Sequence, residues 1–449
     1  MRLAREAAAH AAEFVSPAPG MLPAESATIR AAQAPPARIA FFGNFGTQNL
    51  GNEYTLKAIL AHARRRLPDA ELLCICTGPQ DVAARHGVTA IPMSYRYSGS
   101  FRAAAERMSQ GRVVRALRRL FVRVPRELAE VVRAFRCLRG VRMLVMTGTG
   151  MLSDVGIGPF DLHWEILKWS AVAKLRGARV TFASVGMGPI ASAASRRIVR
   201  WALSLADYRS FRDAWSRSYL ESLGFDASRD RVYPDLALSL PPLDTPRSGL
   251  RPAPSTGARR VVGVGLMDYY GTHVSSRVGE DAYRAYVAKM TRFVSWLLER
   301  GYDVRLLIGD LCYDTRSKDD VLRGLSRCGA PTAGGRVVIA RIGSVEELVQ
   351  ELAGTDLVVA MRFHTALLAL MLERPVIALS YHQKCVSLMD SVGLPQYAHD
   401  IDRGETEQLV EQFTDLETNS DRFAPSIAGK LAECRRALDE QYAALFALA

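Results

Sequence analysis

The chain has no apolar run approaching the ~20 residues that a helix needs to cross a bilayer, so no helical span is expected. It has no secretory h-region either: Met1 to His10 is Ala-rich with arginines, and Glu13 breaks up the short apolar stretch around it. Cysteine is sparse. The seven, at positions 74, 76, 137, 312, 328, 385 and 434, are scattered without the spacing of zinc ligands, which points to reduced cytosolic thiols. Cys74 and Cys76 sit two apart on an expected strand and so share one face. Internal repeats are absent. The first glycine loop lacks the Lys and Ser/Thr of a P-loop, which excludes that nucleotide triphosphatase motif, and it lacks the G-x-G-x-x-G spacing of a dinucleotide site. No nucleic-acid module or aromatic interleaving accompanies the basic charge.

What is present is a long, apolar-rich and basic chain. Its 449 residues exceed one ordinary α/β core, and nearly half are hydrophobic. The formal net charge is +12, and it is unevenly spread. From Arg102 to Arg142 there are twelve arginines against Glu106, Glu127 and Glu130, so 12 − 3 = +9. Val113, Val114, Leu117, Leu120 and Phe121 form an apolar stripe at helical spacing among them. Such a helix either packs on the domain or lies on anionic lipid.

Short apolar strands alternate with longer helical patterns, which indicates parallel, helix-covered sheets. Expected strands include 38–43, 71–76, 143–146, 179–184 and 208–211 in the first half. In the second half they are 260–266, 303–308, 337–339, 357–360 and 376–379. Residues 1–37 read as a disordered or loosely helical leader, 38–240 as a first Rossmann-like domain, 241–258 as a Pro/Ser/Gly-rich linker, 259–404 as a second such domain, and 405–449 as C-terminal helices.

Ligands of open α/β sheets sit beyond the carboxyl ends of the strands. Met361-Arg362-Phe363-His364 ends one strand, and Ser380-Tyr381-His382-Gln383-Lys384 ends the next. If those strands are neighbours, Arg362, His364, Tyr381 and Lys384 meet in one crevice. Their cations suit a compact phosphate or carboxylate. Asp310 and Asp314 lie after a strand on the same edge and could contact an acceptor hydroxyl. In the first half, three glycine loops come after strands: Gly43 to Glu53 with Asn44 and Asn49, Gly148-Thr149-Gly150, and Gly186-Met187-Gly188. Glycines allow close backbone approach to a ligand, and a helix start offers N–H groups to an anion. Arg212 precedes Asp213, a candidate helix cap, and is read as either a ligand contact or a loop tie. Asp235 reads as structural or cleft-facing. His382 and His399 read as ordinary histidines.

Together these segments resemble the polysaccharide pyruvyl transferase family. The ordered set is Asn49-x-Gly51-Asn52-Glu53, Gly148-x-Gly150-x-x-x-Asp154, Gly186-x-Gly188-Pro189, Arg212-Asp213-x-x-Ser216, Asp235-x-Ala237, Arg362-x-His364 and Tyr381-x-x-Lys384. Asn52 stands where the family usually has Asp, and Thr149 interrupts a usual run of glycines. The resemblance implies two Rossmann-like domains in a glycosyltransferase-B-like arrangement with an interdomain cleft. It implies phosphoenolpyruvate as donor, no cofactor, and as acceptor a sugar of a polysaccharide or its lipid-linked precursor. It places Arg362 and His364 in the donor site, and it implies a cytoplasmic enzyme, with the basic segment suited to the inner membrane face. The alternatives are a sugar-nucleotide glycosyltransferase of the same architecture and a non-catalytic glycan-binding member of a biosynthetic complex.

Overall fold

The strand Arg38–Phe42 (β1) is buried from its second residue onward, as a central parallel strand covered on both faces must be. It pairs in parallel with Glu71–Cys76 (β2) and with Val141–Met146 (β4). With Thr89–Pro92 (β3), Arg179–Val185 (β5), Tyr208–Phe211 (β6) and Arg231–Val232 (β7), these form a seven-stranded parallel sheet in the order β3-β2-β1-β4-β5-β6-β7. The second sheet repeats the plan. Val261–Leu266 (β8), Asp303–Ile308 (β9), Val337–Ile339 (β10), Leu357–Ala360 (β11), Val376–Ser380 (β12) and Ala398–Asp400 (β13) run in the order β10-β9-β8-β11-β12-β13. In each sheet the order reverses direction beside the first strand, at β1/β4 and at β8/β11. Loops leaving those strands therefore flank the crevice in which such sheets bind ligands.

The computed structural model describes residues 36–94, 124–154, 156–240, 259–271, 277–332 and 335–449. The expected leader (but for its last two residues), the linker and the first part of the basic segment lie outside the described residues. Residues 36–449 belong to one compact unit. Among the described residues, no helix is long and apolar enough to cross a membrane.

The two-sheet parallel α/β architecture is the one the strand pattern implies. The first helix starts at Leu50, because the Asn49 side chain accepts the Asn52 amide and caps it. Asp213 caps helix Ala214–Ser222 through the Ser216 amide at 2.7 Å. Helices Pro79–His86, Ala193–Ser204 and Thr315–Arg327 and the short edge strands β3, β7 and β13 were not anticipated. Among the short edge strands, only the apolar run of β10 was read from the sequence.

Helix Thr406–Phe446, about 60 Å long at 1.5 Å per residue, joins the two halves. Its first part packs on the second sheet. Phe413 sits edge-on to Phe293, Trp296 and Tyr302, and Glu417 accepts from Tyr302 and Arg260. Its last part reaches the first sheet. Asp439 pairs with Arg65 and Arg66, and Tyr442 stacks on His62 at 3.9 Å. The fully buried Gln441 accepts from Ser184 on β5 at 2.8 Å and donates to Ser210 on β6 at 2.9 Å. Gln441→Leu strands polar groups that cannot find water. We expect a loss of about 1–3 kcal/mol, measured by urea denaturation, with Gln441→Ala no milder.

Candidate functional site

The carboxyl edges of the two sheets meet, and the meeting is built from side chains of both. β11 and β12 are parallel neighbours in register Val358↔Val376 to Ala360↔Ala378. The segments after them, with Arg362, His364, Tyr381 and Lys384, therefore leave the same edge.

Arg362 precedes helix Phe363–Met371 in an extended conformation. Its Nε and Nη2 donate to the two carboxylate oxygens of Asp314, at 2.9 and 2.5 Å. Asp314 is fully buried and also accepts the amides of Gly309, Asp310 and Asp268. Burial opposes the Arg362 charge, but Asp314 outweighs it and holds the guanidinium pKa above its ordinary value. One side of the fork is thus committed to the fold. Asp310, 3.9 Å from Arg362 Nη2, accepts from Asn49 Nδ2 at 3.1 Å and from the amides of Cys312 and Tyr313. Burial raises its pKa, with Arg362 opposing.

His364 lies in the first turn of its helix. Its Nε2 is 3.5 Å from Thr55 Oγ1 and 3.9 Å from the Asp235 carboxylate, both on the N-terminal half. A Cβ at Gly51 would stand 2.0 Å from His364 Nδ1, so only glycine lets the ring sit there. Burial lowers its pKa to about 4. Asp235 pulls upward, while Arg212, Lys384 and Arg362 push it further down.

Arg212 lies just after β6 and is nearly buried, with Nη1 3.3 Å from Asp235. It leans over the Phe363 ring at 4.7 Å, and a Cβ at Gly186 would come within 2.4 Å of its Nη2. Asp235 thus stands between Arg212 of the first half and His364 of the second. Its other oxygen accepts the Ala237 amide. Lys384 Nζ lies 6.0 Å from the Phe363 ring and 4.8 Å from the Tyr381 ring. Among the described residues it has no carboxylate partner. A cavity of about 440 Å³ opens beside these groups, lined in part by Arg212, Tyr233, Asp235, Phe363, Lys384 and Ser387.

The glycine loops divide by role. Gly186 lies under Arg212, and Gly188 lies against Ser153 and His382. Gly148 has the Ser184 carbonyl where a Cβ would go, whereas Gly150 is exposed with open space around it. In the first loop, the Asn44 amide oxygen accepts from Thr77 and its carbonyl from Asn52. The amides of Gly46, Leu50 and Asn52 are already taken by Glu53, the Gly309 carbonyl and Asn49. Those N–H groups are spent on shaping the loop and joining it to the second sheet, so they do not form the open anion cradle expected of this helix start.

His382, read from sequence as ordinary, belongs to this neighbourhood. It caps helix Gln383–Ser391, meets Trp215 edge-on at 5.5 Å, and has its pKa lowered to about 4 by burial, then by Lys384 and Arg212. Its place at a strand end, the criterion that singled out His364, was the available signal. His399 is buried against Gln412, away from this cluster.

The two switch-point sheets with facing carboxyl edges define the fold of the glycosyltransferase-B class. Solved structures agree on the fold. The Anabaena Alr3699/HepE structure in complex with UDP and glucose matches with TM-score 0.54 and 13% identity over 91% of this chain and 99% of that one. A glycosyltransferase from Rickettsia africae ESF-5 matches with TM-score 0.54 and 11% identity over 91% and 98%. UDP-GlcNAc 2-epimerase from Methanocaldococcus jannaschii matches with TM-score 0.52 and 10% identity over 84% and 92%. Sequence carries the assignment further: residues 49–383 match the polysaccharide pyruvyl transferase family, and the chain belongs to it. Amylovoran biosynthesis protein AmsJ of Erwinia amylovora is 26% identical over 145 residues, 30% of this chain and 33% of that protein. The match spans a third of that relative's length.

Arg362→Ala leaves the buried Asp314 carboxylate unpaired. We expect a loss of about 3–5 kcal/mol in urea denaturation, partly recovered in the Arg362→Ala/Asp314→Asn double variant. His364 and His382 are neutral in the folded protein at pH 7. The unfolded chain protonates them near 6.5 and the folded chain only near 4. Below pH 6.5 the unfolded state therefore binds more protons, and stability falls as pH drops towards 4. Denaturation at pH 7 and pH 5 should show the drop, and His382→Asn should shrink it.

Proposed function

We propose that this cleft transfers the enolpyruvyl group of phosphoenolpyruvate to two hydroxyls of a sugar in an exopolysaccharide or cell-wall glycan or its lipid-linked precursor, as a pyruvate ketal. The observation that carries the reading is the convergence of Arg212 and Lys384 on Phe363 beside the neutral His364. Family membership supports pyruvyl transfer as the reaction class. Phosphoenolpyruvate carries a phosphate and a carboxylate on three carbons, and two neighbouring cations suit a ligand of that size.

The depressed pKa of His364 fits this chemistry. Burial, and then Arg212, Lys384 and Arg362, hold the proton off the ring. A bound dianion offsets those charges and lets the ring take a proton. That proton goes to the donor's methylene carbon. The C2 centre becomes cationic, and the first sugar hydroxyl adds to it, returning its proton to His364. The second hydroxyl displaces phosphate, which leaves with the remaining proton. The C2–C3 π bond and the C2–O bond to phosphate are lost, and one C3–H bond and two C–O bonds to the sugar form. Asp235, with Arg212 and the Ala237 amide on its oxygens, orients the imidazole.

Equilibrium titration of phosphoenolpyruvate against a panel of nucleotide sugars tests the donor. Phosphoenolpyruvate should bind selectively, and Lys384→Ala should weaken it by about 10–100-fold, the worth of one charge-assisted hydrogen bond. Binding of a nucleotide sugar instead would make the chain a glycosyltransferase. Glycan binding without turnover would make it a non-catalytic member. His364→Gln should cut turnover by at least ~100-fold while phosphoenolpyruvate still binds. Near-normal turnover in that variant would remove His364 from the chemistry.

A further inference from the structure

Helix Val124–Cys137 packs by one face on helix Leu162–Leu175, with Ala134 buried, Glu130 tied to Arg133 and Arg133 donating to the Pro92 and Met93 carbonyls at the end of β3. Its opposite face is apolar and open. Val124, Leu128, Val132 and Phe135 recur at intervals of four, four and three residues and so line one side of the helix. Leu128 is 61% exposed and Phe135 41%. A buried-core helix shows the reverse arrangement, so this face is built to meet something. It continues onto the next loop, where Phe160 is 72% exposed and packs on Trp164, whose indole donates to Glu127 at 2.7 Å.

The border of the face is positively charged. Arg136 on the helix and Arg139 just after it are exposed and have no acidic partner among the described residues. Arg176 lies over the Phe135 ring at 4.2 Å. The local acids are engaged: Glu127 holds Trp164 and Lys168, and Glu130 holds Arg133. An apolar stripe bordered by arginines matches a surface that is anionic outside and apolar beneath. A second copy of this chain is a poor occupant, because a two-fold contact would set these arginines against their own counterparts.

We propose that this face is a docking surface for an anionic lipid bilayer. The helix leads directly into β4, so its C-terminal end lies at the amino edge of the sheet. Its Val124 end, with Phe160 on the loop that leaves the same strand, therefore lies at the carboxyl edge, where the cleft opens. Docking along the length of the helix lays this side of the first half on the bilayer, with the arginines at the amino edge and the Val124 end beside the cleft mouth. The face would serve in this way whichever donor the cleft takes.

Co-sedimentation of the full chain with phosphatidylcholine vesicles, with and without phosphatidylglycerol, tests it. We expect binding only with phosphatidylglycerol, weakened by salt. Arg136→Glu should weaken it at least about fivefold, the worth of one charge near an anionic surface, and Leu128→Asp should weaken it further. Both positions are exposed, so thermal melts should be unchanged and loss of binding will not reflect unfolding. Failure to bind anionic vesicles, or binding indifferent to both variants, would overturn the proposal. So would a dimer in light scattering that Leu128→Asp converts to monomer, which would make the face a self-interface, or saturable binding to a soluble acidic protein that displaces the vesicles.

Discussion

The fully buried Asp314 carboxylate holds the site edge of the second sheet together. It takes amides from Asp268 after β8 and from Gly309 and Asp310 after β9, and it takes both Nε and Nη2 of Arg362 after β11. Those three strands are consecutive neighbours at the switch point. One buried anion thus fixes the relative position of three strand ends. A charge taken out of water needs this much compensation: each amide and the guanidinium offset part of the desolvation cost, and removal of any of them leaves the rest uncompensated. The first half is registered against that edge by the Leu50 amide on Gly309 and by Asn49 on Asp310. His364 then falls against Gly51, where no side chain could make room for it.

Much of this was legible in the sequence, and the rest was hidden for identifiable reasons. Strands such as Glu71–Cys76 and Asp303–Ile308 are buried, β-rich runs bounded by polar residues, so their limits could be read directly. The strand-end rule located Arg362, His364, Tyr381 and Lys384 without knowledge of strand order, because the rule concerns direction alone. What was not legible is pairing across distance. Asp235 is 129 positions from His364, and nothing local marks it as a partner of both His364 and Arg212. The occupied fork of Arg362 was invisible for the same reason: a strand-end arginine looks the same whether a ligand or a buried aspartate fills it. Asn49 was readable as a cap but not as a link to Asp310.

The difference between Arg362 and Lys384 arises from that pairing. Arginine's planar fork suits a carboxylate held in one geometry, and here a protein carboxylate holds it. Lysine is a point charge on a flexible stem, and Lys384 rests on Tyr381 and Phe363 without a carboxylate partner among the described residues. An anion binding beside Lys384 would not have to displace an existing ion pair. Arg212 is intermediate, because it shares Asp235 with His364.

Asp235 consequently faces both the Arg212 cation and the neutral His364 ring, and this would couple anion binding to proton binding. Burial and three neighbouring cations outweigh Asp235 and keep the His364 ring neutral. An anion that draws Arg212 and Lys384 to itself lessens their push on the ring and leaves more of the Asp235 field to it. Protonation then becomes easier, against the burial that remains the largest cause of the depression. Linkage makes the coupling reciprocal: the protonated ring strengthens anion binding by the same factor. Under the proposed reaction, this coupling would bring the acid and the anionic donor into the cleft together.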